Sequence, residues 1–385
     1  MGEVNCMKVT FLIGNGFDIG MGMRSKFSDY FPIYIAQSKN KKISLKGLAD
    51  HIAQNEDNWS YFERQLGHYT NEFMLETKKV FVDQIKDFEK GFMVYLKGQE
   101  KKLSFENNQK IAHRMIDALL TFYSDNNLPR QSAQDISRIY SIFSKESITY
   151  NFINFNYTSV LKKCMDTIPQ NIVCKRKISN NEYVDKIGQI VHVHGYSDKY
   201  PIMGVNDASQ ISNKELATDD RFVRYIVKPV LNQRLRQNND TDADKLIAES
   251  TIICIYGMSL GETDKQWWNK ILAWLHNNTN RQLIIFEYDE QFTMTTQFDR
   301  IEKEDAILDK LAEYNNNSII AVEKLRSRIH IAVHKNIFQM NLRKKTEEKN
   351  NVTLEQVALG NIARHGEELA RGYQAAEKAM ELINK

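Results

Sequence analysis

Hydrophobic and polar positions along the chain follow two habits. Short, continuous apolar runs recur at 9–13, 147–161, 171–176, 186–195, 251–257 and 282–288, with a weaker one at 328–333. Runs of this length, rich in Val, Ile and aromatic residues and bounded by turn residues, predict buried strands. Between them lie longer segments whose apolar residues are three and four apart. Phe81, Ile85, Phe88, Phe92 and Tyr95 share one stripe of 79–98; Ile111, Met115, Ala118, Leu119 and Phe122 share one of 108–125. That spacing predicts amphipathic helices. Further helices are expected over 135–146, 242–250, 263–278 and 299–314, and over 221–237, interrupted or kinked near Pro229, whose nitrogen carries no donor.

Apolar strands alternating with helices predict an α/β fold with a mostly parallel sheet covered on both faces. The block 40–146 reads as a helical insertion or lid. It divides one domain into a start at 1–39 and a continuation at 147–340. A polar tail, 341–385, is expected to be helical, although glycines at 360, 366 and 372 weaken it.

Composition narrows the classes without choosing among them. The 385 residues can bury a substantial core. A formal net charge of +3 gives no electrostatic case for nucleic acid or an anionic membrane. The four cysteines (Cys6, Cys164, Cys174, Cys254) form no C-x-x-C pair, which argues against a thiolate zinc knuckle and a disulfide framework. The N-terminal stretch lacks a basic segment followed by a long apolar one, so no signal peptide is expected. Cys6 stands where a myristoylation motif wants Ser or Thr. With no run near the ~20 apolar residues that span a bilayer, a cytoplasmic protein without membrane association is expected.

Chemistry concentrates where strands end. Open parallel sheets bind ligands outside the carboxyl ends of their strands. Four segments occupy such positions: GNGFD (14–18), NFNYTS (154–159), HVHG (192–195) and GMSLGETD (257–264). Gly14 and Gly16 permit a tight turn and close backbone approach. The stretch is not a dinucleotide fingerprint, because Ile19 stands at the third glycine, and no G-K-[ST] follows. A ligand loop and an ordinary strand-to-helix corner are both open. Asp18 stands where it would cap a helix beginning near residue 19. Thr158 and Ser159 read as caps of the next helix or as ligand contacts, and Thr263 with Gln266 reads as a capping box. A neutral histidine suits proton transfer near pH 7. His194, with His192 on the same side by strand alternation, is therefore available for chemistry or for a structural role. Asn156 can hold a water or a hydroxyl, or cap a turn. Ser259 can touch phosphate. Glu63 is open between a helix surface and the site, and Trp267 and Trp268 read as packing residues.

Taken in order, FLIGNGFD, NWSYFE (58–63), NFNYTS, HVHG and IYGMSLGETDKQWW resemble the AbiH family of phage abortive-infection proteins over about 8–290. That family in turn resembles a remote branch of the SIR2-like, NAD-handling proteins with a Rossmann-like sheet. The resemblance implies that Gly14, Asn15, Gly16 and Asp18 lie where a sirtuin-like loop holds the dinucleotide. It places Asn156 and Thr158 near the nicotinamide ribose, His194 at the catalytic histidine, and Gly257 and Ser259 in a later nucleotide loop. Three departures stand out. Asp18 replaces a serine beside the pyrophosphate, Thr158 replaces an aspartate, and no paired-cysteine zinc module is present, which argues against protein deacylation. The resemblance implies an anti-phage effector that hydrolyses NAD at the nicotinamide–ribose bond, with NAD as substrate rather than cofactor and no metal. A phage trigger or defence partner and a homo-oligomer accompany that reading. A non-catalytic nucleotide sensor acting with a partner protein, and a nucleotide- or nucleic-acid-processing toxin, remain the alternatives.

Overall fold

The computed structural model describes residues 6–54, 61–197, 201–288, 296–315 and 320–344. Among the described residues there are seven strands: β1 (Met7–Ile13), β2 (Ile148–Asn154), β3 (Ile172–Ile178), β4 (Asn181–His192), β5 (Ile252–Tyr256), β6 (Gln282–Glu287) and β7 (Ile329–Val333). They form one sheet in the order β3-β4-β2-β1-β5-β6-β7. All neighbouring pairs are parallel except β3 with β4. The sheet is therefore mixed and mostly parallel.

Each apolar run supplies both faces, because successive side chains on a strand point oppositely. Val9, Phe11 and Ile13 of β1 enter one core with Ile252, Cys254 and Tyr256 of β5. Leu12 enters the other with Ile253, Ile255, Leu283 and Ile285. Every one of these side chains is essentially withdrawn from water, a contribution of about 1.5–3 kcal/mol for each large aliphatic or aromatic group. The second face is covered in part by the helix Lys265–His276, whose Trp267, Trp268, Leu272 and Leu275 are buried. Trp267 and Trp268 thus do the packing expected of them.

Between β1 and β2 the chain is helical, its longest elements being Lys78–Glu100, Asn108–Thr121 and Arg130–Ile142. Their apolar stripes join the first core. Phe11 meets Phe122, Phe152 and Phe338 with ring centroids 5.4–5.7 Å apart. Phe62, Phe88 and Phe92 stack around Phe27 in the same cluster. These helices and the sheet share one continuous interior.

One sequence expectation needs correction here. The run expected at 186–195 begins earlier, at Asn181, and pairs antiparallel with β3 through the two residues Ser179 and Asn180. Ser179 takes a φ of 56°, as tight two-residue hairpins demand. The interruption expected near Pro229 is present: 221–237 is two helices, Asp220–Ile226 and Lys228–Leu235, that meet at Val227. Pro229 lies in the first turn of the second, where its missing donor costs nothing. Beyond residue 344 the expected tail helix lies outside the described residues, as do residues 58–60 of the NWSYFE motif.

Candidate functional site

β1 pairs with β2 on one side and β5 on the other, so the chain's winding reverses at β1. A crevice opens at such a reversal, outside the carboxyl ends of the strands. Here it is a cleft of about 450 Å³. All four motif loops reach it: Gly14, Asn15 and Asp18 from the first, Asn156 and Thr158 from the second, His194 from the third, and Gly257 and Ser259 from the fourth. Phe27, Glu63, Phe92 and Leu96, from the helices between β1 and β2, line it as well.

The first loop is a corner built by backbone contact. A Cβ on Gly14 would lie 2.5 Å from the Gly257 carbonyl oxygen, and one on Gly16 2.6 Å from the Gly257 Cα. Gly257 itself has a φ of 66°, a conformation that favours glycine. The Gly14 amide donates to Tyr256 O at 2.9 Å and the Gly16 amide to Gly257 O at 2.8 Å. Those two donors are thus spent inside the protein and are not free for a phosphate. Gly16 stands behind the wall and does not line the cleft.

A short helix, Asn15–Gly20, follows at once. Asp18 therefore lies inside it and caps nothing, contrary to the sequence expectation. Its side chain is buried (1% exposed). Thr158 Oγ1 donates to Asp18 Oδ2 at 2.6 Å, while Oδ1 has no hydrogen-bond partner. Burial, aided by the charge of Glu100, pushes the Asp18 carboxyl up to about 7, against the opposing pull of Thr158 and Asn156. Asn156 Nδ2 donates to Gly14 O at 3.0 Å, and its backbone amide donates to Asn154 Oδ1 at 3.2 Å.

At the other end of the cleft His194 is 8% exposed. Its Nδ1 donates to Phe155 O at 3.1 Å, and Lys228 Nζ lies 3.4 Å from its Nε2. With Nδ1 protonated, Nε2 accepts from the lysine. Burial first and the lysine's charge second hold His194 well below the usual histidine range. Lys228, 2% exposed, also forms an ion pair with Glu63. Asp264 faces this group, with Asn206 Nδ2 donating to its Oδ1 at 3.0 Å. Burial and the neighbouring Glu63 push Asp264 up to about 6, offset by Lys228 and Asn206.

Lys228 and Asn206 had no sequence signal, and Asp264 had none beyond its place in GMSLGETD. Their segments are far apart in the chain and carry no shared motif. Glu63, open in the sequence, lines the cleft.

Other expectations fail locally. β4 ends at His192, so strand alternation does not carry to residue 194. His192 opens on a different cavity, stacks on Tyr196 at 3.8 Å and contacts Asn154 Nδ2 at 3.3 Å. Thr158 and Ser159 cap nothing with their side chains: Thr158 holds Asp18, and Ser159 donates to Glu100. Thr263 lies in a one-turn helix, Glu262–Asp264, and the following helix has no side-chain cap bond, so the capping box does not form. Ser259 lines the cleft and is exposed.

Among the described residues, no three His, Cys, Asp or Glu side chains gather as a metal site. No described helix is long and apolar enough to cross a membrane. A family model described as "Bacteriophage abortive infection AbiH" matches residues 10–288. No curated protein matches the chain.

Proposed function

The chain belongs to the AbiH family of bacteriophage abortive-infection proteins, and from that premise we propose that it is an effector that hydrolyses NAD at the nicotinamide–ribose bond. The observation that carries this reading is the convergence of four separate loops on one cleft at the sheet's reversal point. The reaction asks little covalent chemistry of the protein. The C1′–N bond breaks with its electron pair moving to the ring nitrogen, water attacks C1′, and one proton must be accepted. Holding the ribose and orienting the water supply most of the rate.

Asn156 sits where it serves both tasks. Its nitrogen braces Gly14, leaving its oxygen to accept from a water or a ribose hydroxyl. Asp18, kept partly protonated near neutral pH by burial, meets a ribose hydroxyl with less repulsion of phosphate than a full carboxylate, and Thr158 fixes its orientation. Asn15, Gly257 and Ser259 border the dinucleotide. His194 orders the ribose end through Lys228. Arrest of the infected cell follows from loss of NAD, with a phage component or partner protein as the trigger. The protein acts in the cytoplasm, where NAD is drawn down, alone or as a homo-oligomer.

A second reading has one observation in its favour. The His194 Nε2 lone pair is already taken by Lys228, which suits a sensor that binds a nucleotide and reports to a partner without cleaving it. The test compares variants where the wild type arrests growth. His194→Ala and Asn156→Ala should each abolish nicotinamide release and toxicity while the protein stays folded. NAD bound by the wild type and left intact during arrest would favour the sensor.

A further inference from the structure

We propose that Asp264 is the base of the cleft, taking the proton of the attacking water, and that Glu63 and Lys228 tune it. This deepens the hydrolase reading and rests on it. Three acids line the cleft: Asp18, Glu63 and Asp264. Asp18 is 1% exposed, its Oδ2 is held by Thr158, and its remaining oxygen is taken by the ribose hydroxyl it meets. Asp264 is half-buried and keeps a window onto the cleft. Its Oδ1 is fixed by Asn206, so Oδ2 is the oxygen presented to a reactant.

His194 is a poor competitor for the same proton. Its Nε2 is occupied by a cation that would repel an imidazolium. The charged and titratable groups facing Asp264 come from four places. They are Glu63 on the helix Phe62–Tyr69, Lys228 on the helix Lys228–Leu235, Tyr157 after β2, and His194 after β4. Two carboxylates thus share one buried lysine. Glu63 has the closer claim through its ion pair, which leaves Asp264 the less compensated of the two.

The step balances. Water oxygen bonds to C1′, the C1′–N pair neutralises the pyridinium ring, and the water proton passes to Asp264 Oδ2. No acid is needed for the leaving group, because a cationic ring departs neutral. The substrate class is therefore a pyridinium N-glycoside; neutral purine nucleosides, whose bases leave well only when protonated, fit the site worse.

The test measures nicotinamide release against pH with full-length chain purified from growth-arrested cells, alongside NAD binding. Asp264→Asn should retain NAD and lose at least about 100-fold in release, the usual worth of a general base. The wild-type rate should rise through about pH 6, as Asp264 ionises. Glu63→Gln removes a like charge and should move that limb to lower pH; Lys228→Met removes the opposite charge and should move it higher. Should Lys228→Met fail to fold, the two near-isosteric variants carry the comparison. Release by Asp264→Asn at the wild-type rate would overturn this proposal and leave the hydrolase reading standing. An arrested culture whose wild-type chain releases no nicotinamide would overturn both.

Discussion

Asn156 Nδ2 donates to the Gly14 carbonyl at 3.0 Å, so the loop after β2 is tied to the loop after β1 by one side chain. The bond crosses 142 residues of sequence and joins two walls of the cleft. Asn156→Ala leaves a buried carbonyl without its donor, a loss of about 1–3 kcal/mol. We expect a lower unfolding midpoint in denaturant together with lost cleavage. Asn156→Asp keeps the shape and loses the donor, so it should lose stability too. Unchanged stability in both variants would show that the bond does not hold the loops.

The glycines of the first loop make a sharper stability prediction. Gly16→Ala drives a methyl to 2.6 Å from backbone Cα, where no flexible side chain can yield. Overpacking of this kind costs about 1–3 kcal/mol, and the cleft should deform with it. Gly98 provides the contrast. It lies inside the helix Lys78–Glu100 with nothing within 4 Å of an added Cβ, so Gly98→Ala should stabilise by about 0.5–1 kcal/mol. Chemical denaturation of the two variants side by side would show shifts of opposite sign.

Asp18 predicts the pH dependence of stability. Its folded pKa, about 7, lies above its ordinary 3.8. Between those values the folded chain binds the extra proton, so Asp18's contribution is full below about pH 4 and is lost as pH rises through 7. Asp18→Asn should therefore gain stability relative to wild type as pH rises from 5 to 8, while losing NAD binding. Glu100, which adds to the upward shift, predicts the companion result: Glu100→Gln should end the decline at lower pH. A ratio of stabilities independent of pH would show that Asp18 is already ionised in the fold.

Much of the scaffold was legible because its signals are local. The five-residue heart of β5 is buried at every position and reads directly as a two-sided parallel strand. The β3–β4 hairpin was missed although Ser179-Asn180-Asn181 marks a turn, because the polar start of β4 lacks an apolar run. Within the site, Gly14, Asp18, Asn156 and His194 stood out as residues at strand ends. The partners that set their chemistry did not. Lys228 sits in what reads as an ordinary amphipathic helix, and Glu63, Lys228 and Asp264 come from three distant segments. Asp18 was misread as a cap because its helix begins directly at Asn15, before the glycines have ended.

The central claim is most directly tested by following NAD and its products, by mass, in cells arrested by the wild-type chain. NAD should fall before growth stops, with nicotinamide and ADP-ribose appearing in equal amounts, and neither should change with Asn156→Ala. Growth arrest with NAD intact would contradict the account.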